Sequence, residues 1–190
     1  MLPIVLNLVT CRVMLIGDDA AAVRRLCLIE AAGAENVRVF APMPVAELVT
    51  AAGSRLVRRL PDRAEIAAAR LVFMSDRHAS YIAAIAAMAR AAGVLLHIED
   101  DPARSDFALP AILRRGDLCV AVSTGGASPA LAVALRDRIA GIIGSDWDAR
   151  TAEIARLRRA WRADGADAEK LKQRTADWLG RQGWPAHFHS

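Results

Sequence analysis

Short apolar runs alternate along the chain with longer segments whose apolar residues recur at helical spacing. Residues 12–17 are almost continuously apolar and end at glycine, which is typical of a parallel strand covered on both faces. Residues 20–32 have helical periodicity and stop at Gly33, and residues 37–41 predict a second strand, closed by Pro42. Together these segments have the length of a β-α-β unit.

The same alternation continues, less regularly, for about sixty residues. It predicts three further strands, at residues 56–58, 71–74 and 94–98, and two helices, at residues 62–69 and 80–92. The last of these strands runs into three consecutive acids, Glu99, Asp100 and Asp101. Because ligands of open parallel sheets bind outside the carboxyl ends of the strands, we expect these acids to lie near a binding site.

The pattern changes after Pro102. Residues 107–113 are apolar, residues 114–117 have the composition of a turn, and residues 118–123 alternate as a strand does. A small-residue loop then opens a helix predicted over 130–143, and a charged helical segment with a break at Gly165 follows from Trp147. The fold class predicted is α/β, with three segments: a Rossmann-like parallel sheet (1–112), a dimerisation segment (113–146) and a C-terminal helical subdomain (147–190).

Composition supports this fold class. The chain has 190 residues, of which 54% are apolar but only 5% aromatic, which suits helices packed closely on a sheet. The net charge is +4 with acids and bases interspersed, so no segment is typical of a nucleic-acid or membrane-surface partner. The small basic excess favours an anionic small molecule.

Three cysteines, Cys11, Cys27 and Cys119, lie in apolar runs without C-x-x-C spacing. We expect buried, reduced thiols, as in a cytosolic protein. The first eight residues carry no basic residue before the apolar stretch, which disfavours a secretory signal, and no apolar run reaches membrane-spanning length. A cytoplasmic location is expected.

The first strand-to-helix turn reads G-D-D-A-A-A, from Gly17 to Ala22. A dinucleotide fingerprint here has the form G-x-G-x-x-G or A, and its second glycine lets the backbone approach the pyrophosphate. Gly17 and Ala22 fit this pattern, whereas Asp19 replaces the second glycine. The alternative is an ordinary turn in which Asp18 or Asp19 caps the helix.

Several motifs in order resemble the precorrin-2 dehydrogenase family, which also forms the amino-terminal module of sirohaem synthases. That family carries L-P-I, G-G-G-x-V-A-x-R-K, N-x-x-D-x-P, S-F-x-x-P and V-S-[ST]-G-G-x-S-P. This chain has L-P-I, G-D-D-A-A-A-V-R-R, H-I-E-D-D-P, D-F-A-L-P and V-S-T-G-G-A-S-P at matching spacing over about residues 1–145. It departs from the family at Asp18, Asp19, His97 and Asp106.

The resemblance implies oxidation of precorrin-2 to sirohydrochlorin with NAD, in an intertwined homodimer. It also suggests a second activity, the insertion of ferrous ion in the same cleft. Asp100 matches the catalytic aspartate of the family. The positions that contact the cofactor correspond to Gly17, Asp19, Ala20, Ala21, Pro42 and Met43. A chelatase that has lost NAD use, or a non-catalytic tetrapyrrole or nucleotide carrier, remains an alternative.

Residue chemistry leaves further alternatives open. Asp100, beside two other acids, is suited to proton exchange, but residue chemistry alone favours a cap or turn residue before Pro102. The tetrapyrrole carboxylates have candidate partners in the hydroxyl and N–H groups of Ser123, Thr124, Gly125, Gly126 and Ser128, whereas Ser128 before Pro129 is also an ordinary helix start.

The remaining candidates receive structural interpretations. Arg24 and Arg25 are interpreted as a solvated helix face and His97 as a hydrogen-bonded structural residue. Trp161 and Trp178 are interpreted as helix-packing anchors. No residue is assigned as a metal ligand. The apolar strand and helix within residues 113–143 follow a complete sheet and lack a partner in it, which favours a homodimer there.

Overall fold

The computed structural model describes residues 2–75 and 79–184. The chain divides into two compact units, Met1–Leu109 and Pro110–Ser190. The predicted division at residues 112 and 146 remains a prediction.

The first unit is a five-stranded parallel sheet with helices on both faces. Its strands are β1 (Arg12–Ile16), β2 (Asn36–Phe40), β3 (Leu56–Val57), β4 (Leu71–Met74) and β5 (Leu95–Ile98), in the order β3-β2-β1-β4-β5. Its helices are α1 (Ala20–Ala31), α2 (Ala46–Ala52), α3 (Arg63–Ala68) and α4 (Ala79–Ala92). The chain moves outward from β1 to β3 and then returns to add β4 on the other side of β1. The switch point between β1 and β4 is where sheets of this kind bind ligands.

Burial explains why the strands are almost wholly apolar. One face of the sheet packs Ile16, Val72 and Met74 against helix residues that include Ile85. The opposite face packs Leu15 and other strand residues against α1 and α2. In β1, every residue after Arg12 is buried. The Rossmann-like parallel sheet predicted from these runs is confirmed.

Helix α2 is one element that the apolar pattern did not predict. It is seven residues long, it follows Val45, and no side chain caps its first turn. A helix this short, without a polar cap, carries little periodicity or capping signal in the sequence. It packs on α1 through the fully buried Leu48, so tertiary contacts stabilise it.

The second unit begins with a two-stranded antiparallel sheet of β6 (Ala111–Arg115) and β7 (Leu118–Val122). Three helices follow: α5 (Pro129–Ile142), α6 (Trp147–Ala163) and α7 (Ala168–Arg181). The predicted break at Gly165 is confirmed, since this glycine has φ +79° between α6 and α7. Trp178 is buried and Trp161 lies under the guanidinium of Arg174, as expected of packing residues.

The expectation of buried cysteines is wrong. Cys27 and Cys119 are exposed and Cys11 is half-buried, and all three thiols are free. Cys27 lies on the outer side of α1 next to the buried Leu26, and Cys119 occupies an outward position of β7, whose burial alternates along the strand. A cysteine within an apolar run can therefore lie on the exposed face of its helix or strand.

In the described part of the chain, no helix is long and apolar enough to cross a membrane.

Candidate functional site

Three strand ends meet at the carboxyl edge of the parallel sheet. The N–H of Gly17 donates to Phe40 O at 3.1 Å, the N–H of Ser75 donates to Ile16 O at 2.9 Å, and the N–H of Glu99 donates to Met74 O at 2.8 Å. These bonds continue the strand pairing by one residue beyond β1, β4 and β5. They bring the turn at Gly17 and the acids after β5 to the same edge, on either side of the switch point.

The turn after β1 is closed by the carboxylate of Asp19. This residue is the N-cap of α1, and its Oδ1 accepts from the N–H of Ala21 at 2.9 Å and of Ala22 at 3.2 Å. The capping alternative from the sequence is confirmed for Asp19. A phosphate bound at a helix amino end uses donors of this kind, so Asp19 already occupies part of what a dinucleotide would need here.

Asp18 has a different role, since it fastens the turn to the loop after β2. Its Oδ1 accepts from the N–H of Met43 at 2.8 Å, and its carbonyl oxygen accepts from the N–H of Val45 at 2.8 Å. Of the other predicted cofactor contacts, Ala20 and Pro42 are exposed, as is Met43, at 83%. The structure thus brings the six predicted cofactor positions to one edge of the first unit.

Asp100 lies in a tight turn at the end of β5. The turn is closed by the N–H of Asp101, which donates to Ile98 O at 3.2 Å, and Asp100 is exposed with φ +58°. It is the one described residue other than glycine with a positive φ. Such a conformation costs free energy in most residues and is tolerated best by Asp and Asn. Residues that are held in it despite this cost are more frequent at functional sites.

The acid on each side of Asp100 is paired with an arginine. Glu99 binds Arg25 of α1 at 2.5 Å, with side chains 25% and 15% exposed respectively. Asp101 binds Arg104, and this hydrogen bond lowers the pKa of Asp101 below its usual range. The interpretation of Arg25 as part of a solvated face is wrong, because the residue spans from α1 to the end of β5. Sequence reasoning missed this pair, whose members are 74 positions apart.

Two departures from the family pattern, His97 and Asp106, prove to be neighbouring structural contacts. Nδ1 of His97 lies 3.0 Å from Phe107 O, and Oδ2 of Asp106 accepts from the N–H of Leu96 at 2.9 Å. Both bonds attach residues 106 and 107 to the edge of β5. Burial lowers the pKa of His97, although its contact with the Phe107 carbonyl opposes the shift. The structural interpretation of His97 is confirmed.

The loop that precedes α5 lies in the second unit. Ser128 caps the helix through a bond from the N–H of Leu131 at 3.2 Å, and Pro129 occupies the first turn, as expected of a helix start. Thr124 Oγ1 donates to Ser128 O at 3.0 Å, and Ser123 Oγ accepts from the N–H of Gly125 at 3.2 Å. Gly125 and Gly126 are exposed, with φ +66° and +92°, and a Cβ at either would meet nothing within 4 Å. The five predicted substrate contacts therefore form one open loop.

No group of His, Cys, Asp or Glu that could hold a metal ion occurs in residues 2–75 and 79–184. A cavity of about 360 Å³ lies at the opposite edge of the sheet, beside Arg12 and Asn36 at the amino ends of β1 and β2. Two acidic residues line it: Glu65 is bound to Arg59 and Arg38, and Asp62 caps α3. The carboxyl edge is therefore the better candidate for chemistry.

The parallel sheet and its switch point define a Rossmann-like α/β domain. Residues 4–111 match the sequence model of a family described as putative NAD(P)-binding, and residues 115–141 match one described as sirohaem biosynthesis protein central. The chain belongs to this putative NAD(P)-binding family, and its resemblance to the precorrin-2 dehydrogenase and sirohaem synthase family is confirmed.

Individual relatives agree with this assignment. The chain is 38% identical over 159 residues to a sirohaem synthase of Methylococcus capsulatus, covering 82% of this chain and 32% of that protein. It is 31% identical over 191 residues to a sirohaem synthase of Tolumonas auensis, covering 100% of this chain and 38% of that protein. The chain thus spans about a third of the length of these curated relatives.

A solved structure described as SirC, precorrin-2 dehydrogenase, has a similar fold. The TM-score is 0.73 at 20% sequence identity, and the similarity covers 91% of this chain and 86% of that one. This similarity extends over both compact units.

Proposed function

We propose that this chain oxidises precorrin-2 to sirohydrochlorin with NAD. The observation that carries the proposal is the succession of two family matches, a putative NAD(P)-binding domain followed by a sirohaem biosynthesis segment. The carboxyl edge of the sheet supports it, because the predicted cofactor positions and Asp100 lie on either side of the switch point. NAD, when bound, supplies the hydride acceptor.

The residues of the chain have separate tasks in this proposal. The side chain of Asp100 moves a proton at the macrocycle, because it is an exposed carboxylate that a closed turn holds in one conformation. The open loop at residues 123–128, in which Ser123, Gly125 and Gly126 are exposed, binds carboxylates of the tetrapyrrole. The positions from Gly17 to Ala21, together with Pro42 and Met43, orient the cofactor.

A second candidate is metal insertion without NAD. The specific observation that favours it is the bond of Asp19 to Ala21 and Ala22, which occupies donors at the phosphate position. Insertion of ferrous ion into sirohydrochlorin uses Asp100 and the macrocycle but needs no pyrophosphate. In this case the ferrous ion is a substrate rather than a resident cofactor.

An anaerobic turnover assay separates these functions. Purified protein is given precorrin-2 with and without NAD, and in parallel sirohydrochlorin with ferrous ion, while the tetrapyrrole absorbance is followed. Formation of sirohydrochlorin only when NAD is present supports the proposal. Formation of sirohaem without NAD-dependent oxidation supports the second candidate, and tetrapyrrole binding without turnover indicates a carrier.

We further propose that the protein acts in the cytoplasm as a homodimer. The exposed apolar side chains of α5, among them Leu131, Leu135 and Ile142, support the homodimer.

A further inference from the structure

The two aspartates of the first turn differ in what they bind. Asp18 connects the turn to the loop after β2 through Met43 and Val45, so it stabilises the fold of the edge. In residues 2–75 and 79–184, the side-chain hydrogen bonds of Asp19 lie within its own turn, at the amino end of α1. Of the two aspartates, Asp19 is therefore the one placed to affect the binding of a phosphate.

The amino end of a helix offers a small number of N–H groups to an anion. In this chain the carboxylate of Asp19 already receives two of them, at 2.9 and 3.2 Å. It satisfies the same donors as a pyrophosphate, carries the same sign of charge, and is held beside them by the backbone. A side chain tethered in this way competes at a high effective concentration with any free ligand.

We propose that Asp19 is an internal competitor for the phosphate of the dinucleotide. It occupies the amino end of α1 in the cofactor-free protein, and NAD binds there only after the carboxylate has rotated away. The inference rests on the proposed use of NAD. It makes Asp19 a determinant of cofactor affinity, in addition to its role as a helix cap.

The test compares three variants of the full-length protein by titration calorimetry with NAD and by thermal unfolding. Asp19→Gly removes both the cap and the charge. Asp19→Asn keeps the capping hydrogen bonds and removes only the charge, since Asn caps about as well as Asp. Asp62→Gly is the matched control, because Asp62 caps α3 through Glu65 and lines the cavity at the opposite edge of the sheet.

Asp19→Gly should bind NAD about two- to thirtyfold more tightly than the parent, the range expected when a helix-capping interaction no longer competes. Its melting temperature without NAD should fall, as should that of Asp62→Gly. Asp62→Gly should leave NAD affinity unchanged. Asp19→Asn should gain clearly less affinity than Asp19→Gly, because the asparagine still occupies the donors.

Equal gains for Asn and Gly at position 19 would overturn the inference in favour of simple charge repulsion. Unchanged or weaker binding by Asp19→Gly would overturn it as well, as would an absence of NAD binding in both parent and variant. Failure of the proposed function is a separate outcome: Asp19→Gly binds NAD more tightly, yet neither protein oxidises precorrin-2.

Discussion

At the scale of single residues, Asp100 unites a carboxylate with a backbone conformation that few residues adopt. Its φ of +58° is tolerated by Asn, Asp and Gly but costs Ala about 1 kcal/mol. Asp100→Asn therefore keeps the backbone conformation of the turn while it removes the ionisable carboxylate. We expect this variant to lose precorrin-2 oxidation while its melting temperature and tetrapyrrole binding stay close to those of the parent.

Asp100→Ala is the comparison variant in the same assay. It should lose the same activity and also become less stable, because alanine is strained at this φ. Turnover by Asp100→Asn at the parent rate would show that Asp100 is only a turn residue.

Glu65 provides a prediction about pH. Hydrogen bonds from Arg59 lower its pKa to about 2, from the usual value near 4.5, and the N–H of Asp62 contributes to the shift. The folded protein therefore binds this proton less readily than the unfolded chain. Glu65 stabilises the fold fully above about pH 4.5, and this contribution is lost as the pH falls towards 2.

Urea unfolding of the parent and Glu65→Gln at several pH values measures this contribution. We expect the variant to be less stable by about 1 kcal/mol at pH 7, a modest figure because solvent screens the pair. The difference should shrink steadily below pH 4.5. A difference independent of pH would mean that the glutamate stabilises through shape rather than charge.

At the scale of elements, the ion pair of Arg25 and Glu99 joins helix α1 to the end of β5. Both side chains are largely buried, and Glu99 directly precedes Asp100. A double-mutant cycle of Arg25→Met and Glu99→Gln should give a coupling free energy of about 1 kcal/mol in urea unfolding. The double variant should lose less stability than the sum of the losses of the two single variants. Each single variant leaves one partner of the ion pair unpaired, whereas the double variant leaves none.

Arg136 and Asp137 offer a matched control cycle. They form an ion pair at 2.7 Å on α5, and Asp137 is exposed at 61% of its side chain. A coupling near zero is expected for that pair. A coupling free energy of zero for Arg25 and Glu99 as well would show that this ion pair does not hold α1 to the turn at residues 99–101.

The central strands β1 and β4 could be predicted because they are covered on both faces, so their burial appears in the sequence as a nearly unbroken apolar run. Residues 71–74 are an example in which the predicted and observed bounds agree. Helix α2 could not be predicted, since packing of Leu48 rather than a local signal defines it. The arginine partner of Glu99 was missed for a related reason: charge pairing across the sheet edge leaves no pattern in a single sequence.

At the candidate site, the sequence indicated which residue types are present, but not which hydrogen bonds they make. The residue types at Asp19 indicated either a phosphate turn or a cap, and only the distances to Ala21 and Ala22 identify the cap. The positive φ of Asp100 likewise follows from the closed turn at the end of β5, which the motif H-I-E-D-D-P did not specify.

At the scale of the whole molecule, three large apolar side chains remain exposed along one side of α5. Leu131, Leu135 and Ile142 are 50%, 45% and 62% exposed. At 3.6 residues per turn they lie within about 40° of one another around the helix. An exposed apolar stripe of this kind is typical of an interface. When the same helix of two copies packs about a twofold axis, both copies bury their stripe.

We therefore expect the protein to be a homodimer at micromolar concentration, with a mass by light scattering of twice the 20.4 kDa of the chain. Leu135→Glu should shift the mass towards that of the monomer, because a charge in an interface loses its hydration without gaining a partner. Leu95→Glu, which places the same charge at a residue 42% exposed on β5, is the control and should leave the mass unchanged. A parent protein that is monomeric at this concentration would exclude the homodimer, and a dimer unaffected by Leu135→Glu would place the interface away from α5.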